Sequence, residues 1–453
     1  MATYSLKKGY NLRIVGEPES AIEDAPKPET VAVDSRDFFG VRPKLTVKEG
    51  DKVKAGSPVM MSKSNNDIKF TSPVSGEVVE IRRGERRSLQ EIVIKSDGKD
   101  ESEEFPVISS GDILTSTRET ILSNILKSGL FVSFLQRPFA VVPDPSVTPR
   151  DIFISAYFTG PLHADINQIL SGNEAAFQAG LNALSKLTDG DVYLSHEAGA
   201  NGLSEAVTKA ANVKINTFKG PHPAGNVGIQ IHHIKPVGKG DVVWTVTPQT
   251  VVNIGKLFIE GKPNFERVVA VCGEKAKDKK HIKTIAGANL KAILKGKVDE
   301  SAEVRYICGD VLSGSKKNAD GFMAWECNQI SLIPEIQNKE FMGWLLPGPN
   351  KESYSRTFWS WLSPGKKFSH NTGYHGGVRA FVATGDYESV VPMDIFPVHL
   401  IKCIMYGDIE AMEGLGILEV APEDFALCDF ICVSKIEVQQ TLREGLDLYR
   451  KEG

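Results

Sequence analysis

The stretch from Val47 to Ile81 constrains the fold of this chain more than any other feature. Its apolar residues alternate with polar or small residues at a period of two, which is typical of short, half-buried strands: Val47, Val53, Val59 and Met61. Gly50-Asp51 suits a tight turn, because glycine tolerates positive φ and aspartate can bond the backbone beyond it. Pro73-Val74-Ser75-Gly76 supplies the next turn. The pattern predicts a small flattened barrel.

The layout of this barrel resembles the biotinyl and lipoyl carrier domains. A carrier needs a lysine at the exposed tip of a hairpin, where its amide-linked arm can swing. In this chain the tip reads Ser64 to Asp67, and the carriers' offset from the flanking turns falls on Asn65 or Asn66. Lys63 and Lys69 are the nearest lysines. We therefore predict a carrier fold used as a structural or docking module, with a modified lysine as the alternative.

Length and charge bound the class of protein. The chain of 453 residues is long enough for about three domains, and 41% hydrophobic residues are ample for sizeable cores. The 53 basic and 57 acidic residues leave a net charge of -4, whereas a nucleic-acid-binding surface requires a clustered basic excess. We expect a multidomain globular protein without a DNA or RNA partner.

Neither export nor a membrane span is expected. The N-terminal MATYSLKKGYNLRIVG has basic residues without an apolar core after them, and no window approaches the ~18 apolar residues that cross a bilayer. The cysteines are too sparse for a disulfide framework and fit a reducing cytoplasm. They are Cys272, Cys308, Cys327, Cys403, Cys428 and Cys432.

Strand and helix patterns alternate after a charged linker at residues 96–106. In order they are the strand 151–158, the helix 174–187, the strand 191–195, the short helix 203–210, the strands 213–218 and 242–247, and the helix 248–260. Such alternation predicts an open parallel sheet with helices on both faces.

The sequence has no glycine-rich fingerprint for binding a dinucleotide. Its closest glycine pair after a strand lies in His196 to Gly202. We interpret this segment as a plain turn, with an anion site as the alternative.

Two further units are expected after residue 262. Strands at 267–272 and 304–308 and a short helix at 290–295 predict a β-grasp-like domain. Its lysine-rich loop, Lys275 to Lys283, is interpreted as a solvated face, with docking to an acidic partner or anionic lipid headgroups as the alternative. From Asp394 onward, apolar residues at spacings of three and four predict a small helical bundle.

Two groups of residues could bind metal. Cys403, Cys428 and Cys432 fall short of the four thiolates that an iron-sulfur cluster needs, so we interpret them as structural. Three histidines lie within residues 222–233, but no cysteine or acidic residue lies among them. The glycines and prolines around them favour a shaped loop over a metal site.

Two aromatic groups could make contacts. Leu130 to Phe139, LFVSFLQRPF, would suit a planar ring or a partner helix, although such a stripe is more often core. The second group lies in a Gly/Pro/Ser-rich stretch, where we predict contact with a partner or with a membrane interface. It comprises Trp344, Tyr354, Phe358, Trp359, Trp361, Phe368 and Tyr374.

Several long strings occur together in the order of one known family. They are LKKGYNLRIVGEP, VRPKLTVKEGDKV, FTSPVSGEVVEIRRG, SGLFVSFLQRPFA, FKGPHPAGNVGIQIHHIKPVG, NIGKLFIEGK, EDFALCDFICVSK and TLREGLDLY. Over nearly the whole chain they resemble the NqrA family, whose members belong to the bacterial sodium-translocating NADH:quinone reductases. That family is related to the electron-transfer subunit of the Rnf complex and to the NADH-binding subunit of respiratory complex I.

The resemblance implies a multidomain α/β and α+β fold. We expect an N-terminal segment with a biotinyl/lipoyl-like barrel-sandwich (1–100), a Rossmann-like parallel-sheet domain (101–262), a β-grasp, SLBB-like domain (263–330), an irregular aromatic-rich segment (331–390) and a C-terminal helical bundle (391–453).

The resemblance also implies a part of a respiratory translocase. In the family, electrons pass from NADH through FAD, FMN, riboflavin and iron-sulfur centres in other subunits to a quinone such as ubiquinone, and this drives sodium export. The relatives' glycine loop for FMN corresponds to Leu130 to Phe139, which has no such loop. We therefore expect a peripheral subunit on the cytoplasmic face of the inner membrane, beside the other five subunits, with no catalytic, cofactor-binding or metal-binding residues of its own.

A quinone contact would need an apolar pocket with one or two polar groups. The quinone-proximal candidates are Phe38, Phe39, Phe131, Phe134, Arg137 and Phe139. The alternative function is a soluble, FMN- and NADH-dependent electron-input subunit of the Rnf or complex I type.

Overall fold

The computed structural model describes residues 2–336, 341–343 and 345–453. The first strands are β1 (Thr3–Ser5), β2 (Ile22–Asp24), β3 (Thr30–Asp34), β4 (Pro43–Leu45), β5 (Lys52–Val53), β6 (Pro58–Ser62), β7 (Lys69–Thr71), β8 (Gly76–Arg83) and β9 (Leu89–Ser96). Strands β3 to β9 form two small sheets of order β3-β9-β8-β5 and β4-β6-β7. Val31, Val59, Phe70 and Ile92 are buried in their shared core. The predicted barrel is present.

The alternation within the barrel is less regular than the sequence predicts. Val59 and Met60 are both buried, because the pairing of β6 with β7 shifts register between Pro58 and Met60. Such a bulge sends two successive side chains to the same face.

The next segment contains α1 (Ser110–Ile113), α2 (Arg118–Ser128), β10 (Leu135–Arg137), β11 (Ile152–Ser155), α3 (Ile166–Leu170), α4 (Glu174–Leu184), β12 (Val192–Glu197), α5 (Glu205–Thr208), β13 (Lys214–Lys219), α6 (Val227–Ile234), β14 (Val243–Thr245) and α7 (Pro248–Glu260). The sheet has the order β1-β13-β12-β11-β14-β10. Every neighbouring pair is parallel except β10 with β14. Its edge strand β1 comes from the start of the chain.

Both faces of this sheet are covered. Ile152 and Ile154 of β11 belong to a core with residues of α4 and α7. Phe153, between them, packs instead with Ile231 of α6. Since successive side chains of a strand point to opposite faces, helices cover both sides of the sheet.

A second mixed sheet follows, with β15 (Glu266–Cys272), β16 (His281–Ile285), α8 (Leu290–Ile293), β17 (Val304–Cys308), β18 (Ser315–Lys317) and β19 (Gln329–Pro334). Its order is β18-β17-β19-β15-β16-β2. The predicted loop Lys275 to Lys283 is too long, because β16 begins at His281 and pairs with β15 on one side and β2 on the other.

The C-terminal part is helical, with α9 (Tyr387–Val390), α10 (Pro397–Tyr406), α11 (Ile409–Gly414), α12 (Ala426–Ile431) and α13 (Val438–Glu452). Leu400, Phe425, Leu442 and Leu446 lie in the core that these helices share. In the described part of the chain, no helix has both the length and the apolar character needed to cross a membrane.

Candidate functional site: a buried arginine between three units

Three of the six quinone-proximal candidates lie in the core. Phe131 and Phe134 pack on Trp244, with ring centroids 5.5 and 5.6 Å from it. Phe38 packs on Phe70 at 4.6 Å. All of these rings are buried. These rings are therefore internal packing, with Phe131 and Phe134 against the parallel sheet and Phe38 within the barrel.

Of the other three candidates, Phe39 and Phe139 contact the last helix, while Arg137 contacts Glu423 in the helical tail. Arg443 of α13 donates to the carbonyl oxygen of Phe139 at 2.7 Å, and its guanidinium lies 5.8 Å from the ring centre of Phe39. Phe139 also stacks on Tyr449 at 6.3 Å. The barrel, the parallel sheet and the helical tail therefore converge around these side chains.

Arg137 ends β10 with its side chain only 3% exposed. Its Nη2 forms an ion pair with Glu423, but Nε and Nη1 have no hydrogen-bond partner among the described residues. A buried donor without a partner is costly. Two nitrogens of Arg137, which carry three N–H bonds, thus lack an acceptor among the described residues.

Asp424 lies beside this ion pair and is buried. Its Oδ2 accepts from the backbone N of Ala421 at 3.1 Å, and its Oδ1 accepts from the side-chain amide of Asn226 at 3.3 Å. Burial raises the pKa of Asp424 to about 7, and the charge of Glu423 adds to this while Arg137 opposes it. Asp424 can therefore hold a proton near neutral pH.

Helix α6 approaches Asp424 closely because it has glycine at 228. A Cβ atom on Gly228 would lie 2.2 Å from Asp424 Oδ2, which no real contact allows. Asn226 additionally donates to the carbonyl oxygen of Glu423 at 2.9 Å. Two strings on which the resemblance rests, GPHPAGNVGIQIHH and EDFALCDFICVSK, are thus in direct contact. Sequence reasoning missed this pairing, since the strings lie about 200 residues apart.

The three histidines do not converge on one point. His232 Nδ1 lies 2.7 Å from a carboxylate oxygen of Glu419, and His233 Nε2 donates to the carbonyl oxygen of Pro392 at 2.8 Å. His222 is buried, and its ring lies 3.2 Å from the hydroxyl of Thr159. Within the described residues, no group of three His, Cys, Asp or Glu side chains could hold a metal ion.

A cavity of about 390 Å³ lies at the carboxyl ends of β11 and β12. The predicted glycine-pair turn contributes Glu197 and Asn201 to its wall, and Glu17 and Asp165 add two carboxylates. None of the described residues that line it is lysine or arginine. The cavity therefore offers no lysine or arginine to an anion bound at this turn. None of the six quinone-proximal candidates lines this cavity.

The tip of the barrel hairpin forms hydrogen bonds within itself. Asn65 Oδ1 accepts from the backbone N of Asp67 at 3.0 Å, and the hydroxyls of Ser62 and Ser64 lie 2.8 Å apart. Lys69 lies in strand β7, where it pairs with Met61, rather than at the tip. The tip thus has the hydrogen bonds of an ordinary turn.

The described cysteines are free thiols. No disulfide forms among the described cysteines; Cys428 and Cys432 are buried and Cys403 is half-buried.

Of the aromatic run, Phe368 is buried and Tyr354 and Phe358 are half-buried. Trp359, Trp361 and Tyr374 are exposed. Trp344 lies outside the described residues.

Three protein-family models match this chain. Residues 4–97 match a family model described as the NqrA N-terminal barrel-sandwich hybrid domain. Residues 116–263 match the NqrA second alpha/beta domain, and residues 268–319 match the NQRA C-terminal domain, of SLBB type. The chain belongs to the NqrA family of the Na+-translocating NADH-quinone reductases.

Its relatives match over nearly their full length. The chain is 39% identical to the NqrA protein of the Na(+)-translocating NADH-quinone reductase of Saccharophagus degradans, over 99% of both chains. It is 40% identical to the corresponding protein of Yersinia pestis, again over 99% of both. Among solved structures, an NAD+-reducing [NiFe]-hydrogenase aligns with 51% of this chain and 52% of its own, at 14% identity and a TM-score of 0.34. Such a weak likeness carries no conclusion.

Proposed function

We propose that this chain works as the NqrA component of a Na+-translocating NADH-quinone reductase, a translocase that couples quinone reduction to sodium export. The observation that carries the proposal is the similarity to NqrA proteins over 99% of the chain. The direct test is re-addition of the chain to membranes from which it has been removed.

Within that complex we assign the chain a peripheral position on the cytoplasmic face. It would contact the membrane-embedded members among its five partners, while NADH, FAD, FMN, riboflavin and iron-sulfur centres belong to other subunits. We also assign the parallel sheet to the Rossmann-like type, which the strand order β13-β12-β11-β14 supports, and the tail to a helical bundle.

The Arg137 junction is the part of the chain that we propose lies near quinone. The N–H groups on the two unpartnered nitrogens of Arg137 suit a quinone carbonyl oxygen, and the rings of Phe39 and Phe139 suit a flat apolar ring. Quinone becomes quinol by taking up two electrons and two protons. Asp424, with its pKa raised to about 7 by burial, could supply one of the protons.

Quinone-dependent quenching of tryptophan fluorescence in the purified chain tests this junction. We expect Arg137→Met to weaken quenching at least tenfold, because the donors for the carbonyl oxygen are removed. Arg267→Met is the matched control, since Arg267 is equally buried and paired with Glu326. Equal loss in both variants, or no quenching in the unmodified chain, would remove support for quinone binding. Circular dichroism of both variants would establish that they remain folded.

The alternative, an FMN- and NADH-dependent electron-input protein of the Rnf or complex I type, is less favoured by the NqrA relatives. The visible absorption spectrum of the purified chain separates the two. We expect a colourless protein with the intact mass of the bare chain, which would also exclude a biotinyl or lipoyl group. Flavin bands would instead support the alternative.

A further inference from the structure

An exposed apolar lobe is formed by residues 341–343 and 345–366. Hydrogen bonds join the earlier and the later residues of the lobe: the backbone N of Trp359 donates to the carbonyl oxygen of Pro347 at 2.9 Å. Lys366 Nζ reaches the carbonyl oxygen of Pro349 at 3.1 Å in the same way. The lobe is therefore one folded unit.

Glu352 fixes the lobe to the N-terminal segment. Its side chain is completely buried and accepts from Tyr10 at 2.6 Å and from Arg13 Nε at 3.0 Å. His370 Nε2 lies 3.0 Å from its other oxygen. The partners hold the pKa of Glu352 below its ordinary value even though burial, the largest effect, acts to raise it. Glu352, the one carboxylate within the residues of the lobe, thus ties it to the N-terminal segment.

The outer surface of the lobe exposes large apolar side chains. Trp359 is 62% exposed and Phe341 is 87% exposed. The full set is Phe341, Met342, Leu345, Leu346, Trp359, Trp361 and Leu362. Exposed apolar side chains grouped in this way mark a contact surface.

The charge of the lobe is positive. Its range contains Lys351, Arg356 and Lys366, against Glu352 alone. Arg356 and Lys366 are exposed, and neither forms an ion pair with any described residue. The lysine-rich loop differs, because Lys275 pairs with Asp299 and Lys280 pairs with Asp278. Arg356 and Lys366 therefore present positive charge that no carboxylate among the described residues neutralises.

We infer that the lobe rests on the headgroup layer of a bilayer that contains acidic phospholipids. Tryptophan is favoured at the membrane–water interface, and lysine and arginine are attracted to anionic headgroups. Leucine and phenylalanine beside them would enter the boundary with the acyl chains. The inference rests on the proposed function, because membership in a membrane complex is what brings the chain to a bilayer.

Vesicle sedimentation of the purified full-length chain tests the inference. We expect binding to vesicles of phosphatidylcholine with phosphatidylglycerol, with a blue shift of tryptophan emission, and far weaker binding to phosphatidylcholine alone. High salt should weaken it, because ions screen surface charge. Absence of binding to acidic vesicles would overturn the inference and leave the re-addition test unaffected, so the two failures are distinguishable.

Substitutions locate the contact. Arg356→Glu should lower affinity for acidic vesicles at least about fivefold, and Trp359→Ser with Trp361→Ser at least tenfold. Lys277→Glu, in the lysine-rich loop, makes the same change of charge and should have little effect. Equal effects of Arg356→Glu and Lys277→Glu would contradict the inference. It would also be overturned if the lobe variants bound vesicles normally but failed to rejoin depleted membranes, since the lobe would then contact another protein of the complex.

Discussion

The chemistry of Asp424 depends on residues from three places in the chain. Asn226 and the backbone of Ala421 donate to its carboxyl group, while Glu423 and Arg137 act on it through their charges. Burial is the largest of these effects and raises the pKa to about 7. A carboxyl group of this kind changes the stability of the protein with pH.

We predict that Asp424→Asn removes a part of this pH dependence. The folded pKa lies above the unfolded value of 3.8, so the folded state binds the proton more tightly. The resulting stabilisation is complete below the unfolded pKa and is lost as pH rises from about 4 to 7. Thermal unfolding midpoints measured across this range should therefore fall more steeply in the unmodified chain than in the variant. Parallel curves would contradict the assigned pKa.

Gly129 provides a second prediction at this scale. It has φ +80°, and a Cβ there would lie 2.1 Å from Thr71 Oγ1. Thr71 joins the barrel to α2 by donating to the carbonyl oxygen of Ser128 at 2.9 Å. Gly129→Ala should destabilise the protein by about 2–4 kcal/mol, from backbone strain and the clash together.

Gly172→Ala is the control for Gly129→Ala. Gly172 has a similar φ of +73°, but no atom lies within 4 Å of its added Cβ. Only the backbone cost of about 1–2 kcal/mol remains. Unfolding midpoints should rank the unmodified chain first, Gly172→Ala second and Gly129→Ala last; a reversed order of the variants would refute the close approach at Thr71.

Elements that carry their own signals could be predicted from the sequence. Helix α7 runs from Pro248 to Glu260 as expected, because Thr247 caps it, proline begins it and Gly261 ends it with φ +67°. Strands β1 and β2 could not be predicted. Each has three residues and forms only by pairing with a distant strand, β13 or β16.

The contact between α4 and α7 supplies a prediction at the scale of elements. A Cβ on Gly255 would lie 1.7 Å from the carbonyl oxygen of Ala176, so the two backbones touch at this glycine. Gly255→Ala should destabilise the protein by about 3 kcal/mol or more. Gly414→Ala, in α11 with open space around it, should instead stabilise by about 0.5–1 kcal/mol. Chemical denaturation would measure both, and equal effects would refute the close packing.

At the scale of the whole molecule, the N-terminal segment joins the separate units. It gives β1 to the parallel sheet and β2 to the second sheet, and Tyr10 and Arg13 hold the lobe through Glu352. The candidate site is likewise assembled from distant parts. Arg137 and Phe139 could be selected from their local string, but Glu423 lies 286 residues from Arg137. No local sequence pattern predicts a partner so far away in the chain, because only folding brings the two residues together.

We propose that this chain serves quinone reduction as part of a sodium pump while electrons enter elsewhere. Membranes of its own host, stripped of the chain, should lose sodium-stimulated quinone reduction and keep NADH oxidation with an artificial acceptor. Adding back the purified chain should restore the lost activity. Quinone reduction that persists without the chain, or NADH oxidation that disappears with it, would contradict the account.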